Sequence, residues 1–173
     1  GDWSVQRTVD VFAPPTQTLE VTYLDGTPIE TLTGFPFYVS VIPGPNTQAP
    51  IGYHLTITAN ESYETVDNLG NVKMVSAGDS VYSKYFDIKT SLLVEFSAGN
   101  IDLEDGMSYT ITSTVSMDSG LTSTGTIGFD VAWTDVSYEP DVEVAIDNDI
   151  LVAYIRPYCR DEDGALVEDV TLS

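Results

Sequence analysis

The chain has one cysteine, Cys159, one histidine, His54, and only 6 lysines and arginines against 27 aspartates and glutamates, a formal net charge of −21. Each shortage excludes something. A single cysteine rules out an internal disulfide, and an unpaired thiol tilts the expectation toward assembly in a reducing cytosol. One histidine and one cysteine cannot fill a structural zinc site. So acidic a chain repels phosphate backbones and anionic lipid surfaces, so neither nucleic acid nor a membrane surface is expected as a partner. No apolar run approaches the roughly 18 residues of a membrane span, and the first residues lack the basic-then-apolar pattern of a signal segment. Membrane insertion is therefore not expected either.

What is present suffices for a core. Of 173 residues, 42% are hydrophobic, with 10 Tyr, 6 Phe and 2 Trp, enough for one large sandwich or for one module with pieces of others. Apolar and polar residues alternate with period two from end to end, broken by Gly, Pro, Asn and Asp. The alternation predicts strands over residues 3–12, 19–24, 35–42, 52–59, 63–66, 72–75, 81–88, 92–96, 109–115 and 126–133. Asp67-Asn68-Leu69-Gly70 predicts a hairpin turn, and residues 101–105 read as a short 3₁₀ segment. Strands at regular spacing without helical crossovers mean an antiparallel sandwich or barrel.

One nine-residue run narrows the choice. Leu103-Glu104-Asp105-Gly106-Met107-Ser108-Tyr109-Thr110-Ile111 has the spacing Leu-x-x-Gly-x-x-Tyr-x-Ile, with alternation continuing through Ser113 and Val115. This reads as the corner of an immunoglobulin-like sandwich, where a tyrosine near the start of a strand is expected to turn its hydroxyl back to the backbone upstream. Gly106 allows a turn that a Cβ would hinder, and Leu103 plugs the bottom of the core.

The ends suggest modularity. After Trp133 a Pro-bearing joint leads to predicted strands over residues 142–146, 150–158 and 166–172, with a turn at Asp147-Asn148-Asp149 and an acidic loop at residues 160–164. Residues 3–12 running into Ala13-Pro14-Pro15 repeat that grammar. Three segments follow: residues 1–15, a terminal strand of an upstream module and its joint; 16–135, an immunoglobulin- or fibronectin-III-like sandwich; and 136–173, a linker with the first strands of a second, incomplete module. The competing arrangement has the terminal strands complete one larger sandwich, because a three-stranded fragment needs something to pack on.

With the corner, the strand order and the joints in view, residues 16–135 resemble a fibronectin type III or immunoglobulin-like module, and residues 139–173 resemble the start of another. The Ala-Pro-Pro joint, the Thr-rich strands, the acidity and the run Asp147-Asn148-Asp149-Ile150-Leu151-Val152-Ala153-Tyr154-Ile155 are similar to modules of bacteriophage tail-associated structural proteins. Similar modules occur in bacterial cell-surface adhesins. The extra hairpin around residues 67–71 and the lack of an inter-sheet cysteine pair separate the chain from antibody-type domains.

Catalysis fails on inventory. His54, between Tyr53 and Leu55, faces opposite to both and so toward solvent, and no Gly-x-Ser-x-Gly elbow exists. Arg160 beside Cys159 would favour a thiolate, but the one histidine is far away in sequence. Nothing marks any carboxylate pair for glycoside hydrolysis. No catalytic, cofactor-binding or metal residue is therefore assigned. One geometric possibility for calcium stands: Asp102, Glu104 and Asp105 of the corner facing Asp161, Glu162 and Asp163 of the next module, with Asp135 between, as hard oxygen ligands at a joint. The competing expectation is that these loop carboxylates are simply solvated. Asn60-Glu61-Ser62 fits a glycosylation sequon, read as chance. Tyr53, Tyr63, Tyr82, Tyr85 and Tyr138 are candidates for a sugar-stacking platform, against the simpler expectation of core packing. Tyr82 and Tyr85 have opposite facings.

The expectation is a non-enzymatic structural or spacer/binding module of a phage tail or virion-associated protein, assembled in the host cytoplasm. It would contact neighbouring subunits or a host-surface protein or glycan, with no cofactor. The alternative is a binding module of a bacterial cell-surface adhesin that recognises glycan or matrix protein.

Overall fold

The computed structural model describes residues 3–9, 13–45, 49–67, 69–134, 137–147 and 150–160, with side chains described up to residue 134. It divides into two compact units, residues 1–132 and 133–173. Ten strands build the first: β1 (Gln17–Thr22), β2 (Thr31–Leu32), β3 (Phe37–Pro43), β4 (Pro50–Ala59), β5 (Tyr63–Val66), β6 (Val72–Val75), β7 (Ser80–Phe86), β8 (Leu92–Phe96), β9 (Ser108–Met117) and β10 (Thr122–Val131). The described residues contain no helix.

The first unit is an all-β, immunoglobulin-like sandwich. One sheet has the order β1-β3-β8 and the other β2-β10-β9-β4-β7. All neighbours are antiparallel except β2, which runs parallel to β10 over Thr31↔Asp130 and Leu32↔Val131. Strict alternation explains why these segments become half-buried strands: in β4 from Tyr53 onward and throughout β9 every second side chain is buried, as a pleated chain with one covered face requires. From β9, Tyr109, Ile111, Ser113, Val115 and Met117 point inward, opposite Phe37, Val39 and Val41 of β3. Phe37 stacks on Phe96 at 4.9 Å between centroids and lies 5.8 Å from Phe129, so three strands meet at one aromatic cluster.

β5 and β6 form a separate two-stranded hairpin, as expected from Asp67-Asn68-Leu69-Gly70. Two segments depart from expectation. Residues 3–9 form no strand, because alternation alone does not make one; a strand needs a neighbour to receive its backbone hydrogen bonds. Residues 101–105 are not a 3₁₀ segment. Ile101 and Leu103 are both buried, and burying alternate residues keeps the chain open until the turn in which the Met107 N–H meets the Glu104 carbonyl at 3.4 Å. β2 was not anticipated: two residues carry no periodic signal, and what fixes them is the Asp130 N–H to the Glu30 carbonyl and the Ala132 N–H to the Leu32 carbonyl, both 2.9 Å.

The second unit contains an antiparallel pair, β11 (Ser137–Asp147) and β12 (Ile150–Arg160), in continuous register from Ser137↔Arg160 to Asp147↔Ile150. The expected strand over residues 166–172 lies outside the described residues, as do residues 10–12 of the first expected strand.

Candidate functional site

The corner that crosses from β8 to β9 builds one wall of a cleft of about 490 Å³. Tyr109, at the second position of β9, is fully buried and stacks on Phe129. Its hydroxyl accepts the Glu104 N–H at 2.8 Å and donates to the Tyr63 hydroxyl at 2.9 Å. The corner thus has the backbone bond expected of it, and gains a second that ties it to the β5–β6 hairpin. Burial raises the pKa of both phenols, and the nearby Asp102 and Glu104 carboxylates push Tyr63 further up. Gly106 sits at φ +74°, in the left-handed region that a side chain rarely adopts.

Asp67, Asp79, Asp102, Glu104 and Lys73 also line this cleft. Two of these acids are occupied by local structure. The Asp67 carboxylate accepts the N–H groups of Leu69 and Asn71 at 2.9 and 2.8 Å, and these bonds hold its pKa below the usual value. Asp79 accepts the Ser76 N–H at 2.9 Å. They shape turns, and what they leave is a polar recess lined by carboxylates and Lys73. Of the residues considered for calcium, Asp102, Glu104 and Asp105 belong to this corner, whereas Asp135, Asp161, Glu162 and Asp163 lie outside the described residues. Among the described residues, no group of three acids, histidines or cysteines converges to hold a metal ion.

His54 lies on the outer face of β4, opposite in facing to the buried Tyr53 and Leu55. Its ring stacks on Tyr85 at 3.9 Å and 5°, and its Nε2 is 2.9 Å from the Ser83 hydroxyl. This serine is a neighbour that sequence reasoning missed, because cross-strand register brings β7 beside β4. The pair sits by a shallow depression of about 270 Å³ on an open sheet face, where nothing excludes water from a reaction. Tyr82 faces the other way and packs edge-on against Phe96 at 4.9 Å. Tyr53 and Tyr63 are core residues, so among the tyrosines considered for sugar stacking whose side chains are described, only Tyr85 is exposed.

A second groove, about 440 Å³, runs between the edges of the two sheets. Leu19 and Val21 of β1, Ile29, and Ile127 of β10 form its apolar floor, with Glu20 and Glu30 at its lip. Gln17 reaches across beside it: its Nε2 donates to the Ser123 and Ser113 carbonyls at 2.7 and 3.1 Å. Gly125 makes room for this reach, since a Cβ there would meet the Gln17 side chain at 3.2 Å.

No protein-family model matches the chain, and no curated protein matches it in sequence. Among solved structures it is similar to a cohesin module from a Clostridium perfringens ATCC13124 family 33 glycoside hydrolase. The identity is 10% and the TM-score 0.31, over 69% of this chain and 98% of that one. At that identity and score, no partner or activity transfers. Among the described residues no helix is long and apolar enough to cross a membrane.

Proposed function

We propose that the chain is a non-enzymatic, modular segment of a phage tail or virion-associated protein, in which fibronectin-III-like sandwiches in series set spacing and present surfaces to neighbouring subunits. The observation that carries this is the succession of units: a sandwich over residues 1–132, then a second compact unit that opens on a long antiparallel pair. The placement of β7 supports the fibronectin-III assignment, since it extends the five-stranded sheet beside β4 instead of flanking β8. The virion assignment draws its support from the Ala-Pro-Pro joint, the Thr-rich strands and the acidity. The non-enzymatic assignment draws its support from His54, which is spent on a stack with Tyr85 outside any enclosed cleft. The second unit is taken as the first strands of another sandwich.

Immunogold labelling with an antibody raised against residues 13–134 tests the reading. Label on purified virions supports it. Label confined to the surface of bacterial cells overturns it in favour of an adhesin.

A further inference from the structure

Residues 3–9 form no strand, yet their sequence has the pattern of one. Trp3, Val5, Arg7 and Val9 would share one face of an extended chain. Trp3 is 98% exposed, Val5 82% and Val9 76%. Leaving three large apolar side chains in water forgoes burial, and the segment's backbone groups have no ladder.

The sandwich offers one edge suited to receive such a strand. Natural sheets block their edges with bulges, inward charges, prolines or covering segments. β7 has a register shift opposite Ile57 and Thr58 and places Lys84 on its inward face, over the Phe86 ring at 5.2 Å. β1 is covered at its end by Pro28 and Ile29, whose N–H donates to the Val21 carbonyl at 2.9 Å. β8 is short and carries Glu95, which accepts the Tyr38 hydroxyl. β10 has no bulge, inward charge or proline along residues 122–129, the run Thr-Ser-Thr-Gly-Thr-Ile-Gly-Phe; the Gln17 side chain meets it at the Ser123 carbonyl and Gly125, and β2 pairs it only at Asp130 and Val131. The Asp130 N–H points to that free side, toward Glu30. By the two-residue period, the N–H and C=O groups of Thr124, Thr126 and Gly128 point there too.

We infer that residues 3–9 of one copy add as a strand to the β10 edge of a second copy. The lengths agree: seven residues extend about 23 Å and residues 122–129 about 26 Å at ~3.3 Å per residue. The apolar groove floored by Leu19, Val21, Ile29 and Ile127 lies along this edge and receives the apolar side chains. Charge agrees as well. Arg7, one of only 6 lysines and arginines in the chain, shares the apolar face, and Glu20 and Glu30 stand at the groove lip. Pro14 and Pro15 stiffen the joint before β1 and disfavour the tight reversal that self-pairing would need. Backbone ladders supply affinity and alternate side chains supply register, as in other strand additions. Because donor and acceptor are different surfaces, the contact is head-to-tail and repeats along a filament unless capped.

Sedimentation velocity on the full chain and two variants tests this. Thr126→Pro removes an edge N–H; Val5→Asp with Val9→Asp spoils the donor face, and circular dichroism confirms that each folds. The full chain is expected to associate with rising concentration, and each variant to do so at least about tenfold more weakly. Mixed together, the two variants form a 1:1 pair and stop, since one keeps the donor and the other the edge. A Thr126→Pro chain that associates like the parent overturns the inference. So does a full chain that stays monomeric throughout, or a mixture that forms no pair. Should Thr126→Pro fail to fold, a synthetic peptide of residues 3–9 added in excess replaces it; the inference then requires the peptide to dissolve the oligomers.

Discussion

Gln17 of β1 donates its side-chain amide to the Ser123 carbonyl of β10 at 2.7 Å, joining the edges of two sheets that share no backbone ladder. The same nitrogen reaches the Ser113 carbonyl at 3.1 Å. Truncation of this group strips both contacts in a partly buried place. Gln17→Ala should cost about 1–3 kcal/mol, the usual penalty for deleting one partner of a buried polar interaction. Urea unfolding of parent and variant measures it.

Ser113 makes the opposite prediction. Its side chain is fully buried in the core, and its Oγ has no hydrogen-bond partner. Removing an unsatisfied hydroxyl relieves a desolvation penalty while losing little volume. Ser113→Ala should be neutral or stabilising by up to about 1 kcal/mol in the same urea assay.

Tyr109→Phe tests the corner. The ring and its stack on Phe129 survive, but the Glu104 N–H and the Tyr63 hydroxyl lose their partner. The expected loss is about 1–3 kcal/mol. The pH dependence changes too. Burial raises the pKa of Tyr109 and Tyr63 in the folded state, so the folded protein holds protons that the unfolded chain gives up near pH 10. That stability is complete below about pH 10 and is lost as pH climbs toward the raised values. A Tm series from pH 8 to above 11 should fall more gently for Tyr109→Phe than for the parent.

Phe37→Ala tests the sandwich core. Phe37 is completely buried between Phe96 of its own sheet and Phe129 of the other. A void there should cost about 3–5 kcal/mol, read as a shift in the denaturation midpoint.

Most of the sandwich was legible because period-two alternation coincides with burial in the long strands β3, β4 and β9, and β1 and β3 through β10 emerge within a few residues of their expected bounds. The corner was legible for a different reason, since Gly106, Leu103 and Tyr109 are fixed by local spacing. What escaped was set by distant partners. β2 exists through two bonds to residues a hundred positions away, and Ser83 meets His54 only through the β4–β7 register. Residues 3–9 show the converse: their pattern is that of a strand, and no described strand pairs with them. The cleft acids could not be sorted from sequence either, because only the turn geometry shows that Asp67 and Asp79 are committed to backbone N–H groups.

The proposed modular build requires the sandwich to fold by itself. Thermal unfolding of residues 13–134 alone, beside the full chain, tests it most directly. A single cooperative transition at the Tm of the sandwich within the full chain is the predicted result. A fragment that is unfolded, or that melts without cooperativity, would contradict it and make the two units one interdependent fold.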